Sequence, residues 1–409
     1  VSSHPAAAEP GAMEPLPLDP RGAPVPRYGS GSLADLLPAV VVGMGVPDGH
    51  VPSGAAGAAG AAGGAGLALE PADRVCVFLV DGLGWEQLRA HTELAPFLSS
   101  LLPGAAPLTA GFPATTAASL ASVGCGLPPG VHGLAGYRVL DPDTGGLMNQ
   151  LRWDPYTDPQ LWQPYPTVFQ RAHAAGVAVS QVSAPGFEHT PLTRIALSGG
   201  SYLGRTDAGE RMDLAARRLA ADGRTLVYTY YAELDGAGHR YGTGSAEWRG
   251  QLRHVDGLAQ RLAEQLPPRS ALYITADHGM VDVPQTPEAR WDFDTDWELR
   301  AGVALLGGEG RARHVYAVPG AAADVHAVWS EVLAGAAWVA TREEAVELGW
   351  FGPVVEPRVL PRIGDVVVAM TGDAAIVAST TEPNESALIG MHGSMTTAEQ
   401  LVPLLRVRT

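Results

Sequence analysis

Hydrophobic positions are spread unevenly along the 409 residues. Residues 1–27 are rich in Pro, Ala and Gly with little periodicity, the pattern of an arm lying on a surface. Ser32 to Val46 (SLADLLPAVVVGMGV) carries a short helical stretch, with Ser32 placed to cap it. Residues 54–66 (GAAGAAGAAGGAG) are low-complexity and read as a flexible loop without chemistry. From Asp73 the pattern changes. Arg74 to Val80 (RVCVFLV) is an unbroken apolar, β-branched run, as in a strand buried on both faces of a parallel sheet. Thr225 to Tyr231 (TLVYTYY) and Ala271 to Thr275 (ALYIT) are comparable. Helical patterns occupy Ala208 to Ala221 and Glu247 to Gln265. This alternation predicts an α/β fold with a largely parallel central sheet flanked by helices. Beyond Met280 the pattern is mixed, with short strands expected at His314 to Val318, Asp365 to Met370 and Ala375 to Ser379. Residues 1–70 therefore read as an arm, a short helix and a Gly/Ala-rich loop. Residues 71–409 read as the main domain, with 283–386 as a smaller inserted or peripheral α+β subdomain.

Composition narrows the function classes. At 46% hydrophobic residues the chain can bury a large core. A net charge of −16 is ill suited to tracking a nucleic-acid duplex but suits a chain that spends carboxylates on metal. The sequence contains no lysine, which excludes a P-loop and a Schiff-base pyridoxal enzyme. Two cysteines, Cys76 and Cys125, are too few for a disulfide framework or a Cys-rich zinc site. Both are expected as free thiols. No uncharged apolar run reaches ~18 residues, so no membrane span is expected. With no basic-then-apolar leader in view, a cytoplasmic location is expected. No feature of the pattern sets an oligomeric state.

Chemistry-bearing residues follow directly on the apolar runs. Asp81 closes the first (VDGLGW), Asp235 and His239 follow the second (ELDGAGHRYG), and Asp277 and His278 follow the third (ADHGM). In an open α/β sheet, ligands bind beyond the carboxyl ends of the strands, so these residues converge on one edge. A single Asp after a strand is usually a turn former. Five carboxylate and imidazole groups together suit one or two zinc-like ions, and His392 (IGMHGSMT) adds another donor. The segment 111–126 (GFPATTAASLASVGCG) supplies a second element, with a helix expected to start near Thr115. A threonine there can simply cap the helix. It can also present a hydroxyl at a helix N-terminus, where anions bind, and a neighbouring metal makes that hydroxyl a nucleophile.

Taken in order, VDGLGW, FPATT, DGAGHRYG, ADHGM and GMHGS resemble the alkaline phosphatase superfamily, and within it the type I phosphodiesterase/nucleotide pyrophosphatase branch. The resemblance runs from about Arg74 to Leu405. It implies one metal on Asp235, His239 and His392, and a second on Asp81, Asp277 and His278 beside the nucleophilic threonine. The family nucleophile lies three residues after a Pro and ten before a Gly, so Pro113 and Gly126 select Thr116 over Thr115. The implied chemistry is attack of Thr116 on phosphorus and hydrolysis of a phospho-threonine, with two divalent ions, zinc first and manganese or iron as alternatives. The implied partner is a small-molecule phosphorus ester. A phosphomonoesterase, a phosphonate hydrolase and a phosphomutase of the same superfamily are the alternatives. A sulfatase is disfavoured, because no Cys or Ser sits in a C/S-x-P-x-R pattern. Two departures bear on specificity. Ala117 stands where nucleotide-cleaving relatives often place an aromatic residue, and Ser119 where they usually have Asn. Ser119, Tyr137, Asn149 and Trp153 are the candidate substrate contacts, with His132, Arg152, Glu188, His189 and Thr193 as further cleft residues.

Overall fold

A computed structural model describes residues 15–46, 66–153 and 157–409. Most of the Gly/Ala-rich loop expected at 54–66 and the first part of the arm lie outside the described residues. The large sheet contains β1 (Arg74–Val80), β2 (Ala178–Ser183), β3 (Ser201–Gly204), β4 (Thr225–Tyr231), β5 (Ser270–Thr275) and the C-terminal strand Leu405–Arg408. Its order is C-terminal strand–β5–β1–β4–β2–β3. All neighbours run parallel except the C-terminal strand, which is antiparallel to β5. The fold class is the expected one. The three unbroken apolar runs are the adjacent strands β5, β1 and β4, and in β1 every residue from Val75 to Val80 is buried.

Two of the strands were not foreshadowed by an apolar run. β2 reads AVSQVS and β3 reads SYLG, where polar residues break up the apolar ones. Gln181 of β2 is nonetheless buried, its amide nitrogen donating to the Leu197 carbonyl. A second, antiparallel sheet follows, built from β6 (Val303–Glu309), β7 (Ala312–Ala317), β8 (Ala337–Thr341) and β9 (Val366–Met370) in the order β6–β7–β9–β8. The strand expected at Ala375 to Ser379 is shorter, Ala375–Val377, and pairs with Arg290–Asp292. The acidic stretch 292–296 is tied into structure. Asp292 and Asp294 accept hydrogen bonds from Ser379, Thr380 and Thr381, and Asp296 caps a short helix.

Five helices matter for the site: α1 (Leu33–Gly43), α2 (Thr116–Cys125), α3 (Ala208–Leu219), α4 (Glu233–Tyr241) and α5 (Ala246–Glu264). Ser32 precedes α1 as expected, and its N–H and hydroxyl both donate to Asp35 at 2.8 Å. α1 packs on α2, and at Gly126, the left-handed residue ending α2 (φ 70°), an added Cβ would meet Pro38 at 2.7 Å. Cys76 and Cys125 are both buried free thiols, and burial pushes the Cys125 thiol up to about 12. No helix of the described residues is long and apolar enough to cross a membrane.

Candidate metal centre

The candidate ligands come from the segments that follow the strands. Asp81 leaves β1 with its N–H bonded to the Tyr231 carbonyl, and Tyr230 of β4 donates its hydroxyl to Asp81 Oδ2. The turn that follows contains Gly82 at φ 73°, where a Cβ would meet Asp235 at 3.0 Å, so glycine lets these two carboxylates approach. Asp235 and His239 stand one turn apart on α4, with His239 Nε2 3.2 Å from Asp235 Oδ2. Asp277 and His278 follow β5, and the Asp277 Oδ1 accepts the N–H groups of Gly82 (3.1 Å) and His278 (3.0 Å). His392 arrives last, after a two-residue strand, Gly390–Met391, that pairs with Val281–Asp282.

These residues form two adjoining groups: Asp235, His239 and His392, and Asp81, Asp277 and His278. Within each group the potential ligand atoms lie within 4.8 Å of one another. The rings of His278 and His392 stack at 3.6 Å between centroids, which joins the groups into one centre. All three histidines are held in one way. Nδ1 faces a backbone carbonyl: Gly390 for His239 (2.7 Å), Gly279 for His278 (3.0 Å) and Ala114 for His392 (2.9 Å). A carbonyl only accepts, so Nδ1 carries a proton, and in the neutral ring Nε2 is the nitrogen with the lone pair. Those lone pairs point inward. His239 Nε2 and His392 Nε2 are 3.3 Å apart, and His278 Nε2 is 3.5 Å from both Asp81 Oδ1 and Asp277 Oδ2. Asp81 Oδ1, Asp235 Oδ1 and Asp277 Oδ2 are buried with no hydrogen-bond partner. Buried carboxylate oxygens without donors are costly, and a divalent cation is the partner they fit. The donor set of carboxylate and imidazole fits a zinc-like ion.

The electrostatics carry the same strain. Burial, then the Asp277 and Asp235 charges, push the Asp81 carboxyl well above its usual range. Burial acts the same way on Asp235, but His239 and the other histidines outweigh it and hold that carboxyl well below the usual range. Burial also works against a charged His239, yet Asp235 lifts its imidazole to about 9. Burial, His278 and His239 push His392 well below the ordinary histidine value.

The two threonines point to different partners. Thr115 occupies the N-cap position of α2, but its hydroxyl donates to Glu309 Oε2 at 3.4 Å instead of capping the helix. Thr116, the first helical residue, has its Oγ1 3.3 Å from His278 Nε2. Phe112, in the turn before them, packs edge-on against Trp350 and Phe351 at 5.4 Å, anchoring this turn beside the second sheet.

A cavity of about 610 Å³ opens over the centre. Of the expected cleft residues, Thr116, Asp81, Asp235, His239, His392, Tyr137, Arg152 and Thr193 line it. Asp277 and His278 lie beneath, fully buried. Tyr137 donates to Glu385 Oε1 at 3.3 Å. Ser119, Asn149 and Trp153 are not in the lining. Ser119 is buried within α2, Asn149 Oδ1 accepts from the backbone of Leu151 and Arg152, and Trp153 packs on Trp162 at 5.5 Å. His132 is an interior residue, bonded to Ser122 and Leu134, and Glu188 and His189 lie outside the lining. Sequence reading did not single out Glu309, which ends β6 and sits 3.7 Å from His392 Nδ1, nor the tyrosines 202, 228 and 230. Tyr228 and Tyr230 lie in a strand run and Tyr202 in a short strand, so no local signal marked them.

A central parallel sheet that gathers Asp/His groups at its strand ends, beside the start of a helix, defines an alkaline-phosphatase-like α/β protein. The sequence model of the type I phosphodiesterase / nucleotide pyrophosphatase family matches residues 75–395, and the chain belongs to that family. It is 30% identical to human ectonucleotide pyrophosphatase/phosphodiesterase family member 7 over 158 residues, which cover 34% of this chain and 32% of that protein. The match thus spans about a third of that relative's length. An inactive variant of murine ectonucleotide pyrophosphatase/phosphodiesterase 5 in complex with AMP superposes with a TM-score of 0.64 at 19% identity, over 81% of this chain and 87% of that one. Phosphonoacetate hydrolase from Sinorhizobium meliloti 1021, in complex with phosphonoacetate, gives 0.62 at 20% identity, over 83% and 91%. At these identities the two structures establish the fold.

Proposed function

We propose that the chain is a metal-dependent phosphohydrolase that cleaves a phosphodiester or pyrophosphate bond of a small molecule through a phospho-threonine at Thr116. The observation that carries this reading is the position of Thr116 Oγ1 against the buried Asp81–Asp277–His278 group, while Thr115 is engaged by Glu309. Asp235, His239 and His392 would hold one divalent ion, and Asp81, Asp277, His278 and Thr116 the other. Such ions, zinc by the chemistry of the donors, lower the pKa of a bound hydroxyl and neutralise charge building on phosphoryl oxygens. Thr116 Oγ1 gives up its proton to solvent and attacks phosphorus in line, and the bond to the leaving oxygen breaks. The departing group takes a proton from solvent. Water then attacks the same phosphorus, and the Thr116–phosphorus bond breaks to restore the hydroxyl. The N-terminus of α2 presents its positive dipole end to the phosphoryl oxygens during both steps. The carbonyls of Gly390, Gly279 and Ala114 hold the three imidazoles in the tautomer that leaves Nε2 free. Residues 71–409 form the catalytic unit in this reading, with 283–386 as its peripheral part.

The test is elemental analysis of chelator-free protein, paired with hydrolysis of bis-p-nitrophenyl phosphate and p-nitrophenyl phosphate. Two equivalents of a transition metal per chain and faster turnover of the diester are expected. An active sample holding less than one equivalent contradicts the metal assignment. A faster monoester rate favours the phosphomonoesterase alternative.

A further inference from the structure

The turn that leads into Thr115 and Thr116 also serves the other half of the centre. The Ala114 carbonyl holds His392 Nδ1 at 2.9 Å, and the Ala114 N–H donates to the Gly393 carbonyl at 2.9 Å. Whatever fixes this turn therefore sets the attacking hydroxyl and a candidate ligand together. Gln400 supplies one hold. Its side-chain oxygen accepts the Gly111 N–H (3.2 Å), and its amide donates to the Gly111 carbonyl (2.7 Å). The N-terminal arm supplies another. The Phe112 N–H donates to the hydroxyl of Tyr28 (2.9 Å), and that hydroxyl donates in turn to the Trp350 carbonyl (2.9 Å). Phe112 and Trp350 are both fully buried. The arm is itself anchored. The Arg27 N–H donates to Thr109 Oγ1 (2.9 Å), and Trp350 Nε1 donates to Asp19 Oδ2 (3.0 Å). Ala23 is fully buried in the apolar cluster that contains Phe112, Trp350 and Phe351. Tyr28 precedes residues 75–395, the span that the family's sequence model matches.

A buried N–H without a partner is costly, so loss of the Tyr28 hydroxyl drives the turn to shift until Phe112 finds another acceptor. A displacement of about 1 Å in an attacking group can slow a reaction on the order of a hundredfold. We propose that Tyr28 is a positioning residue for the reaction at Thr116: by bridging Phe112 to Trp350, its hydroxyl ties the N-terminal arm to the nucleophile turn and keeps Thr116 Oγ1 beside His278. Tyr28 does not line the cavity, so it acts through the Phe112 backbone and not on the substrate. The effect on rate rests on the phosphohydrolase reading; the hold on the turn does not.

Tyr316 provides a matched comparison. Its hydroxyl accepts the Leu140 N–H (2.8 Å) and donates to the Arg362 carbonyl (2.6 Å), the same pair of bonds made away from the nucleophile turn and outside the cavity lining. Tyr28→Phe and Tyr316→Phe each delete one oxygen and keep the ring. The test is steady-state hydrolysis of bis-p-nitrophenyl phosphate, with amide deuterium exchange, on both variants and the unmutated chain, all full-length and zinc-loaded. In Tyr28→Phe kcat is expected to fall at least about tenfold with KM within about twofold, while Tyr316→Phe keeps both within about twofold. Exchange at the Phe112 amide should quicken in Tyr28→Phe alone. An unchanged kcat in Tyr28→Phe, a rise confined to KM, or an equal fall of kcat in both variants overturns the proposal. Absence of turnover by the unmutated chain removes the hydrolase reading, and exchange then decides by itself. Faster exchange at Phe112 only in Tyr28→Phe keeps the bridge, whereas equal exchange in all three proteins overturns it.

Discussion

Arg311 and Glu399 are as deeply buried as the Asp81–Asp277–His278 group, yet the two assemblies follow opposite rules. The Arg311 guanidinium grips Glu399 through two bonds of 2.8 Å and donates further to the carbonyls of Met370 and Ala374. Glu399 in turn accepts from Ser394 and Thr396. Charges are opposite and the polar atoms are satisfied, so this assembly serves the architecture, fixing the turn that follows His392. In the candidate metal centre, like charges crowd together and three carboxylate oxygens have no donor. A folded chain tolerates that cost where a ligand repays it. Burial alone therefore does not mark a candidate site; like charges buried together with unpartnered oxygens do.

The largest effect that separates the two assemblies is on turnover. Thr116→Ala should lower kcat on the order of 10⁴-fold or more while the metal content stays the same. Thr115→Ala, which removes only a bond to Glu309, should retain most of the activity and cost about 1 kcal/mol of stability. Steady-state kinetics with metal analysis on both variants checks the contrast.

On the architectural side, Arg311→Ala strands a buried carboxylate and should cost about 3–5 kcal/mol in denaturant unfolding. An intact midpoint would mean that Glu399 finds other partners and that the comparison has no energetic basis.

The interior histidines give a pH signature distinct from the site histidines. Burial, reinforced by Arg358, pushes His132 down to about 3, and burial pushes His314 down to about 4. Both are neutral in the folded protein at pH values where the unfolded chain, with a histidine pKa of about 6.5, takes up protons. Protons then favour unfolding. Their contribution to stability is full above pH about 6.5 and declines as pH falls towards the folded values, by up to about 1.4 kcal/mol per unit for each histidine. Unfolding midpoints between pH 7 and 4.5 should fall less steeply in His314→Gln than in the unmutated chain; parallel slopes contradict the assignment.

The smallest effect has the opposite sign to an ordinary core mutation. In metal-free protein, Asp81→Asn removes one crowded charge and should stabilise on the order of 1 kcal/mol. With zinc present the same change should destabilise relative to the unmutated chain, because a ligand is lost. Thermal melts with and without metal read both signs.

The strands that carry the centre were legible because nothing interrupts their apolar runs, and the observed limits of β1 and β4 are those of RVCVFLV and TLVYTYY. The convergence of Asp81, Asp235 and Asp277 followed from parallel strands ending at one edge. The cavity wall that includes Gln181 was not legible. AVSQVS places Gln181 on a buried face only because its amide meets the Leu197 carbonyl, a contact between segments with no local signature. Glu309 ends a glycine-containing strand, VALLGGE, whose pattern gives no hint that it reaches His392. Trp153 and Asn149 lie close to the site in sequence, but their side chains turn to Trp162 and to local backbone. Side-chain direction is a tertiary outcome that residue type does not announce.

In the proposed reaction phosphorus passes covalently through Thr116. Zinc-loaded protein mixed with a phosphorus-labelled diester, quenched in acid during turnover and mapped by peptide mass spectrometry, tests it directly. The prediction is a single labelled peptide from segment 111–126, with the label on Thr116. Label on Thr115, or sustained turnover with no covalently bound phosphorus at any quench time, would contradict it.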